Sequence, residues 1–246
     1  EIISAKAITG DPAVGTQLLT IDAQIETQLG DAIAALAQSP LRNQIGPLAD
    51  WQYSGEADAK LHLEIPLKQI PGNAITGDYL VNAKLRGGSV DIPNTPISIS
   101  QLKGGLNFSV ADGLYSEDIT GEFWQQPLSA KLFRTGKQQK VAISTAVEPE
   151  SLSKLVKFPW TKVLTGTIPI EGLLSINGAD VPGSGVTLQL VSQMEASEIM
   201  LPAPLTKVAG ESRALDVTLH FDPDFQRLEG RIGDQLVTDL RFNQSQ

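Results

Sequence analysis

Apolar and polar residues alternate with a period of two along most of this chain. Between Ala57 and Leu67 every odd position is apolar, and the even positions are charged or imidazole side chains apart from Pro66. The same alternation runs from Asp78 to Arg86 and recurs in the second half of the chain. Successive side chains of a strand point to opposite faces of its sheet. The pattern therefore predicts a mainly β fold in which antiparallel strands share one apolar and one polar face.

Turn-forming residues separate the predicted strands at intervals of about ten residues, which is typical of a β-meander. They include Gly87-Gly88, Asp112-Gly113 and Thr135-Gly136-Lys137. Residues 27–38 and 149–157 instead carry apolar side chains at helical spacing, which predicts two short amphipathic helices. The pattern leaves open whether these helices cap the ends of each unit or cross the mouth of a groove formed by the sheet.

Landmarks of the first half of the chain recur in the second half at a nearly constant offset. The glycine of Ser54-Gly55 corresponds to that of Thr165-Gly166 (166 − 55 = 111), and Pro93 corresponds to Pro202 (202 − 93 = 109). Repetition is typical of elongated proteins in which each unit packs on its neighbours. We predict one continuous elongated domain that comprises the end of a preceding unit (1–26) and two helix-plus-meander units (27–147 and 148–246).

Composition and charge argue against several functional classes. The formal net charge of −9, with scattered Lys and Arg, argues against a nucleic-acid partner. The absence of cysteine excludes disulfides and thiol catalysis, and the two histidines, His62 and His220, lie on the polar sides of predicted strands. We find no catalytic constellation and no metal-ligand set in the sequence. The prediction is a non-enzymatic protein without cofactor or metal.

Four motifs of the chain belong together by their order: Gly77-Asp78-Tyr79, Gly88-Ser89-Val90-Asp91-Ile92-Pro93, Ile99-Ser100-Gln101-Leu102-Lys103-Gly104-Gly105-Leu106-Asn107-Phe108 and Ile119-Thr120-Gly121-Glu122-Phe123-Trp124. These motifs resemble those of the YhdP family of AsmA-like proteins in Gram-negative envelopes. The resemblance implies a bridge-like lipid transfer protein, in which a long curved antiparallel sheet of repeated units forms a U-shaped groove. Such a groove would conduct phospholipid through the periplasm between the inner and outer membranes.

The same resemblance implies that the parent protein is anchored in the inner membrane. Because the N-terminal membrane helix of the family is missing, we expect this chain to be an internal segment. The expected ligands are phospholipid acyl chains, and we expect exposed edge strands to permit self-association of the fragment. The residues predicted to line the groove are Leu61, Leu63, Ile65, Tyr79, Val81, Leu85, Leu106, Phe108, Ile168, Ile170, Leu174, Leu188, Leu190, Leu215, Val217 and Leu219.

A second interpretation assigns the same apolar residues to the closed cores of tandem β-sandwiches. Such domains would serve as a non-catalytic binding or adhesive module of an envelope or secreted protein. Periodicity alone favours this interpretation, and the internal repeat together with the family resemblance reverses that preference. The two interpretations differ in what covers the apolar face, which is a second protein layer in one case and lipid in the other.

Overall fold

The computed structural model describes residues 1–9, 18–38, 42, 46–67, 77–93, 97–136, 138–154, 160–177, 186–221 and 225–243. The strands are β1 (Ile2–Thr9), β2 (Leu18–Gln28), β3 (Gln52–Pro66), β4 (Asp78–Asp91), β5 (Ser98–Ser109), β6 (Gly113–Phe123), β7 (Gln126–Thr135), β8 (Gln138–Val147), β9 (Leu164–Gly166), β10 (Ile168–Asn177), β11 (Val186–Ser192), β12 (Ser197–Ile199), β13 (Leu215–Phe221), β14 (Phe225–Ile232) and β15 (Leu236–Asn243). The helices are α1 (Leu29–Ala37), α2 (Pro149–Leu152) and the 3-10 helices Gly46–Asp50 and Trp160–Lys162.

Thirteen of these strands form one antiparallel sheet. They follow one another in chain order from β1 to β15, and only β9 and β12 are left out, pairing with each other in a separate two-stranded sheet. The predicted mainly β fold, with one long antiparallel sheet and two short helices, is confirmed. The alternative of tandem β-sandwiches is wrong, because consecutive strands continue a single sheet instead of dividing between two packed ones.

Two local predictions need correction. Gly87-Gly88 is not a turn, because both glycines lie inside β4, where the pairing with β5 shifts register on either side of Gly88. A side chain at Gly55 on the neighbouring strand would place its Cβ 2.5 Å from the Gly88 Cα, so the two backbones approach more closely than larger residues allow. The second helix begins at Pro149 as predicted but ends at Leu152, and residues 155–157 lie outside the described part of the chain.

The long sheet is curved. Six inter-strand steps separate β3 from β10, which amounts to about 29 Å in a flat sheet at ~4.8 Å per step. The 3-10 helix Gly46–Asp50 is joined to β3 through Trp51, and its far end can lie at most about 17 Å from the start of β3. Residues of this helix nevertheless lie within 8 Å of β10, measured between Cα atoms. The sheet therefore bends between β3 and β10.

Gly166 provides a test of local packing. Its φ is +81°, and a Cβ at this position would lie 2.2 Å from the Ala196 carbonyl oxygen. Gly136 also has a positive φ, +60°, but its Cβ would meet open space. We expect Gly136→Ala to cost about 1 kcal/mol through backbone strain alone. Gly166→Ala should cost about 3 kcal/mol or more, because the β9–β12 pairing must also separate.

Thermal unfolding followed by circular dichroism measures this difference between the two glycines. For a chain of this length each kcal/mol of destabilisation corresponds to about 2–4 °C in Tm. The Tm of Gly166→Ala should therefore lie well below that of Gly136→Ala. Equal Tm values for the two variants would contradict the close approach of Gly166 to Ala196.

None of the helices in the described residues is both long and apolar enough to span a membrane.

Candidate lipid-binding face

The apolar face of the sheet is continuous from one edge to the other. One row of directly opposed residues crosses β1 to β6, and a second row crosses β7 to β15. The first row is Ala5, Ala23, Leu61, Val81, Phe108 and Leu114. The second row is Leu132, Val141, Leu174, Leu188, Leu219, Leu228 and Leu240. The rows meet where Ser116 opposes Leu132, and the second row extends about 29 Å.

All sixteen residues predicted to line a groove lie on this apolar face, and they fall into two sets by exposure. The buried residues are Leu85, Phe108, Ile168, Ile170, Leu174 and Leu188. The half-buried residues are Leu61, Leu63, Ile65, Tyr79, Val81, Leu106, Leu190, Leu215, Val217 and Leu219. The face is therefore partly covered by protein and partly accessible.

Helix α1 provides the first cover. Its side chains Leu29 and Ile33 are 5% and 6% exposed and belong to one buried cluster with Leu85, Leu102 and Ile119. The predicted amphipathic helix therefore packs on the apolar face. Leu85 packs beneath α1 and is part of the protein core.

The two-stranded sheet of β9 and β12 belongs to a second cover. Its residues Leu164 and Ile199 form a buried cluster with Ile168, Ile170 and Met194. Ile168 and Ile170 are thus covered by protein in the same way as Leu85.

The side chains of Lys207 and Arg213 form hydrogen bonds that fix the loop following β12. The buried Lys207 donates through Nζ to the Ser197 carbonyl at 2.6 Å. Arg213 donates to the carbonyls of Leu205 and Thr206 at 3.0 and 2.8 Å. Each of these bonds satisfies a backbone carbonyl within the cover, so the cover is fixed by hydrogen bonds as well as by apolar packing.

A third buried cluster lies in the middle of the sheet around the 3-10 helix Gly46–Asp50. Leu48 of this helix is 5% exposed and clusters with Phe108, Leu174 and Leu188, which belong to β5, β10 and β11. The Leu48 carbonyl accepts a hydrogen bond from Tyr53 Oη at 2.7 Å. Burial, reinforced by a nearby acidic charge, raises the pKa of Tyr53 well above its usual range, so the phenol remains a donor.

On either side of this central cluster the apolar face is more exposed, and we call these two regions the flanks. One flank lies on β1–β3 and includes Leu61, Leu63 and Ile65, all half-buried. The other lies on β13–β15, where Val217 is half-buried and Leu240 is 46% exposed. Half-exposed apolar rows offer non-directional contacts, which suit hydrocarbon better than a ligand that needs defined hydrogen bonds.

The opposite face is polar and carries ion pairs between strands. Arg86 Nη2 lies 2.9 Å from Asp58 Oδ1 and 3.8 Å from Glu56 Oε2. Arg227 donates to both carboxylate oxygens of Asp239, from Nε at 2.9 Å and from Nη2 at 2.7 Å. These hydrogen bonds lower the pKa of Asp239, because they favour its charged form. The polar face therefore carries charged side chains that are suited to contact with water.

Both histidines also lie on the polar face, as predicted. His62 Nδ1 is 2.7 Å from Asp22 Oδ1, and this hydrogen bond raises the pKa of His62, with smaller contributions from nearby carboxylates such as Glu64. His220 Nε2 lies 3.9 Å from Glu229. Their side chains are 41% and 34% exposed, so both histidines are solvated strand residues.

Several residues of the apolar face were absent from the predicted set. Leu132, Val141 and Leu228 continue the cross-strand rows. The alternation already marks Leu132 and Val141 as apolar-face residues, and extending it to β14 would have found Leu228. Leu48 had no such signal, since a 3-10 helix of five residues is too short to show a hydrophobic period.

The sequence profile of the YhdP protein family matches residues 12–246. The chain belongs to the YhdP family. Among curated proteins it is 28% identical over 246 residues to the intermembrane phospholipid transporter YhdP of Escherichia coli (strain K12). That alignment covers 94% of this chain and 18% of the relative, so the YhdP-family chain described here spans less than a fifth of the length of that protein. No solved structure matches it.

The family resemblance of the sequence motifs is thereby confirmed. In this YhdP-family chain, the motif 99–108 contributes Leu106 and Phe108 to the apolar face of β5. Ile119 of the next motif lies on the same face, beneath α1. The motifs that carry the resemblance therefore contribute residues to the face that is the candidate site.

Proposed function

We propose that this chain is a non-enzymatic segment of a phospholipid-conducting groove. In this proposal the curved sheet forms the wall of the groove, and acyl chains lie against its apolar face. The observation that carries the proposal is the pair of cross-strand apolar rows, which stay half-exposed at both flanks. The Escherichia coli relative is an intermembrane phospholipid transporter, which supports the same assignment.

The physical basis is the free energy of hydrocarbon in water. Exposing an acyl chain costs about 0.8 kcal/mol per methylene, so a sixteen-carbon tail crossing water would cost on the order of 12 kcal/mol. A continuous apolar face removes much of that barrier without a nucleophile, a metal or a nucleotide. Headgroups would stay hydrated at the open rim of the groove, and the ion-paired polar face would remain in contact with water.

The proposal places the chain in the periplasm, as part of a protein that is anchored in the inner membrane and directs lipid toward the outer membrane. We also propose the division into repeat units at 1–26, 27–147 and 148–246. This division is supported by the similar order of elements in the two larger units. The segment after α1 leads to Gly55 and the segment after α2 leads to Gly166, and both glycines have a positive φ. Self-association of the isolated chain would proceed through β1 and β15, the outermost strands of the sheet, which expose Ile2 and Val237.

Extraction of the purified 246-residue chain, produced in a Gram-negative host, tests this proposal. We expect mass spectrometry of the extract to find phospholipid in near-stoichiometric amounts, because bound tails would cover the half-exposed flanks. Protein that carries no phospholipid and takes none up from vesicles of phosphatidylethanolamine and phosphatidylglycerol would contradict the proposed function. That result would assign the apolar face to protein packing alone.

A further inference from the structure

The segment Gly46–Trp51, called the strap below, lies across the middle of the apolar face. It leaves the α1 side of the molecule and enters β3 at Gln52, yet Leu48 is buried with residues of β5, β10 and β11. Trp51 packs against both this central cluster and the cluster beneath α1. The strap therefore lies against the apolar face in the region between β3 and β10, where the sheet bends.

The position of the strap separates the two flanks. Along the cross-strand rows, Leu61 is half-buried on one side of the central cluster and Leu228 is half-buried on the other. Between them, Phe108 is only 1% exposed, with the strap residue Leu48 in the same cluster. Hydrocarbon moving from one flank to the other along the apolar face would have to occupy the surface that Leu48 covers.

The contacts of the strap are of a kind that hydrocarbon can replace. Leu48 contributes only an aliphatic side chain to the cluster, and a segment of acyl chain offers the same apolar contacts. The Leu48 carbonyl accepts two hydrogen bonds from described residues outside the 3-10 helix, from Tyr53 Oη at 2.7 Å and from the Trp51 backbone N–H at 3.4 Å. Tyr53 belongs to β3, so its phenol links the strap to the wall of the sheet.

We propose that the strap is a displaceable plug, and that Leu48 and Tyr53 are positioning residues that control passage of acyl chains between the two flanks. In the closed arrangement Leu48 fills the centre of the apolar face. In the open arrangement the strap leaves the central cluster and lipid tails take the place of Leu48. This inference rests on the proposed function, since it assigns a control point to the same groove.

A covalent link between the strap and β10 tests the plug. Because the chain has no cysteine, the double variant Leu48→Cys/Leu174→Cys can be joined selectively with a short bis-maleimide. The linked chain is compared with the same variant left unlinked, which has the same altered packing. Both are incubated with vesicles of phosphatidylethanolamine and phosphatidylglycerol that contain a phosphatidylethanolamine with a diazirine in its acyl chain. After illumination, labelled residues are located by peptide mass spectrometry.

Val141 on β8 is the reporter for the centre, because it packs against both the central and the α1 clusters. Leu63 and Val217 report on the flanks, because neither belongs to the central cluster or packs against it. We expect linking to reduce labelling of Val141 at least tenfold while labelling of the flanks persists. Equal labelling of Val141 in linked and unlinked chains, with labelled flanks, would overturn the plug and leave the proposed function standing. Unlabelled flanks in both forms would contradict the proposed function itself.

Tyr53→Phe supplies a second test that does not depend on the double variant folding. Loss of the hydrogen bond to the Leu48 carbonyl should favour the open arrangement and raise labelling of Val141 by about 2- to 10-fold. Tyr115→Phe, on the polar side of β6, is the matched control and should leave labelling unchanged. Unchanged or reduced labelling of Val141 in Tyr53→Phe would show that the strap is permanent core.

Discussion

Replacement of Leu188 by Asp is expected to unfold the chain, whereas replacement of Val217 by Asp is expected to leave it folded and to remove bound lipid. Both residues lie on the apolar face of neighbouring strands, β11 and β13. Leu188 is 8% exposed within the central cluster, so its replacement would bury an unpaired carboxylate at a cost of several kcal/mol. That cost is comparable with the whole stability of a typical domain, about 5–15 kcal/mol.

Val217 is half-buried at a flank, so a carboxylate at this position can keep part of its hydration and the fold should persist. An acyl chain lying on the flank would then meet a charge, and we expect bound phospholipid to fall at least tenfold. Thr218→Asp is the matched control, because it places the same charge one residue further along, on the opposite face of β13. That variant should keep both its fold and its lipid.

Circular dichroism and lipid extraction measure the two effects separately. If Val217→Asp unfolds as completely as Leu188→Asp, the flank is protein core and the groove account is wrong for β13. If Val217→Asp folds and retains a full complement of lipid, the acyl chains bind elsewhere. Leu61→Asp and Leu63→Asp, on the other flank, should behave as Val217→Asp does, because both residues are half-buried on the same apolar face.

The alternation of apolar and polar residues predicts which side is apolar for most strands of the long sheet. Leu61, Val81 and Leu219, assigned from that pattern, lie on one common face across the sheet. The period of two identifies the face but contains no information on curvature, since a flat sheet and a curved sheet have the same alternation. The bend between β3 and β10 is seen only in tertiary contacts, such as those between the strap and β10.

The covers of the apolar face were the least predictable part of the site. The pattern in residues 27–38 predicted an amphipathic helix but not its docking surface, so Leu85 could not be separated from open positions such as Val81. Strands β9 and β12 have three residues each, which is too short for an alternation to be recognised. Gly87-Gly88 was misread as a turn because paired glycines also occur where two strand backbones approach closely.

The central claim, that hydrocarbon occupies the apolar face, is tested most directly by carbene labelling of the wild-type chain with the diazirine phosphatidylethanolamine. Adjacent residues provide an internal control, since Val81 and Asn82 on β4, like Val217 and Thr218 on β13, point to opposite faces. We expect label on Val81 and Val217 and at least tenfold less on Asn82 and Thr218. Equal labelling within each pair, or labelling confined to the polar face, would contradict the account.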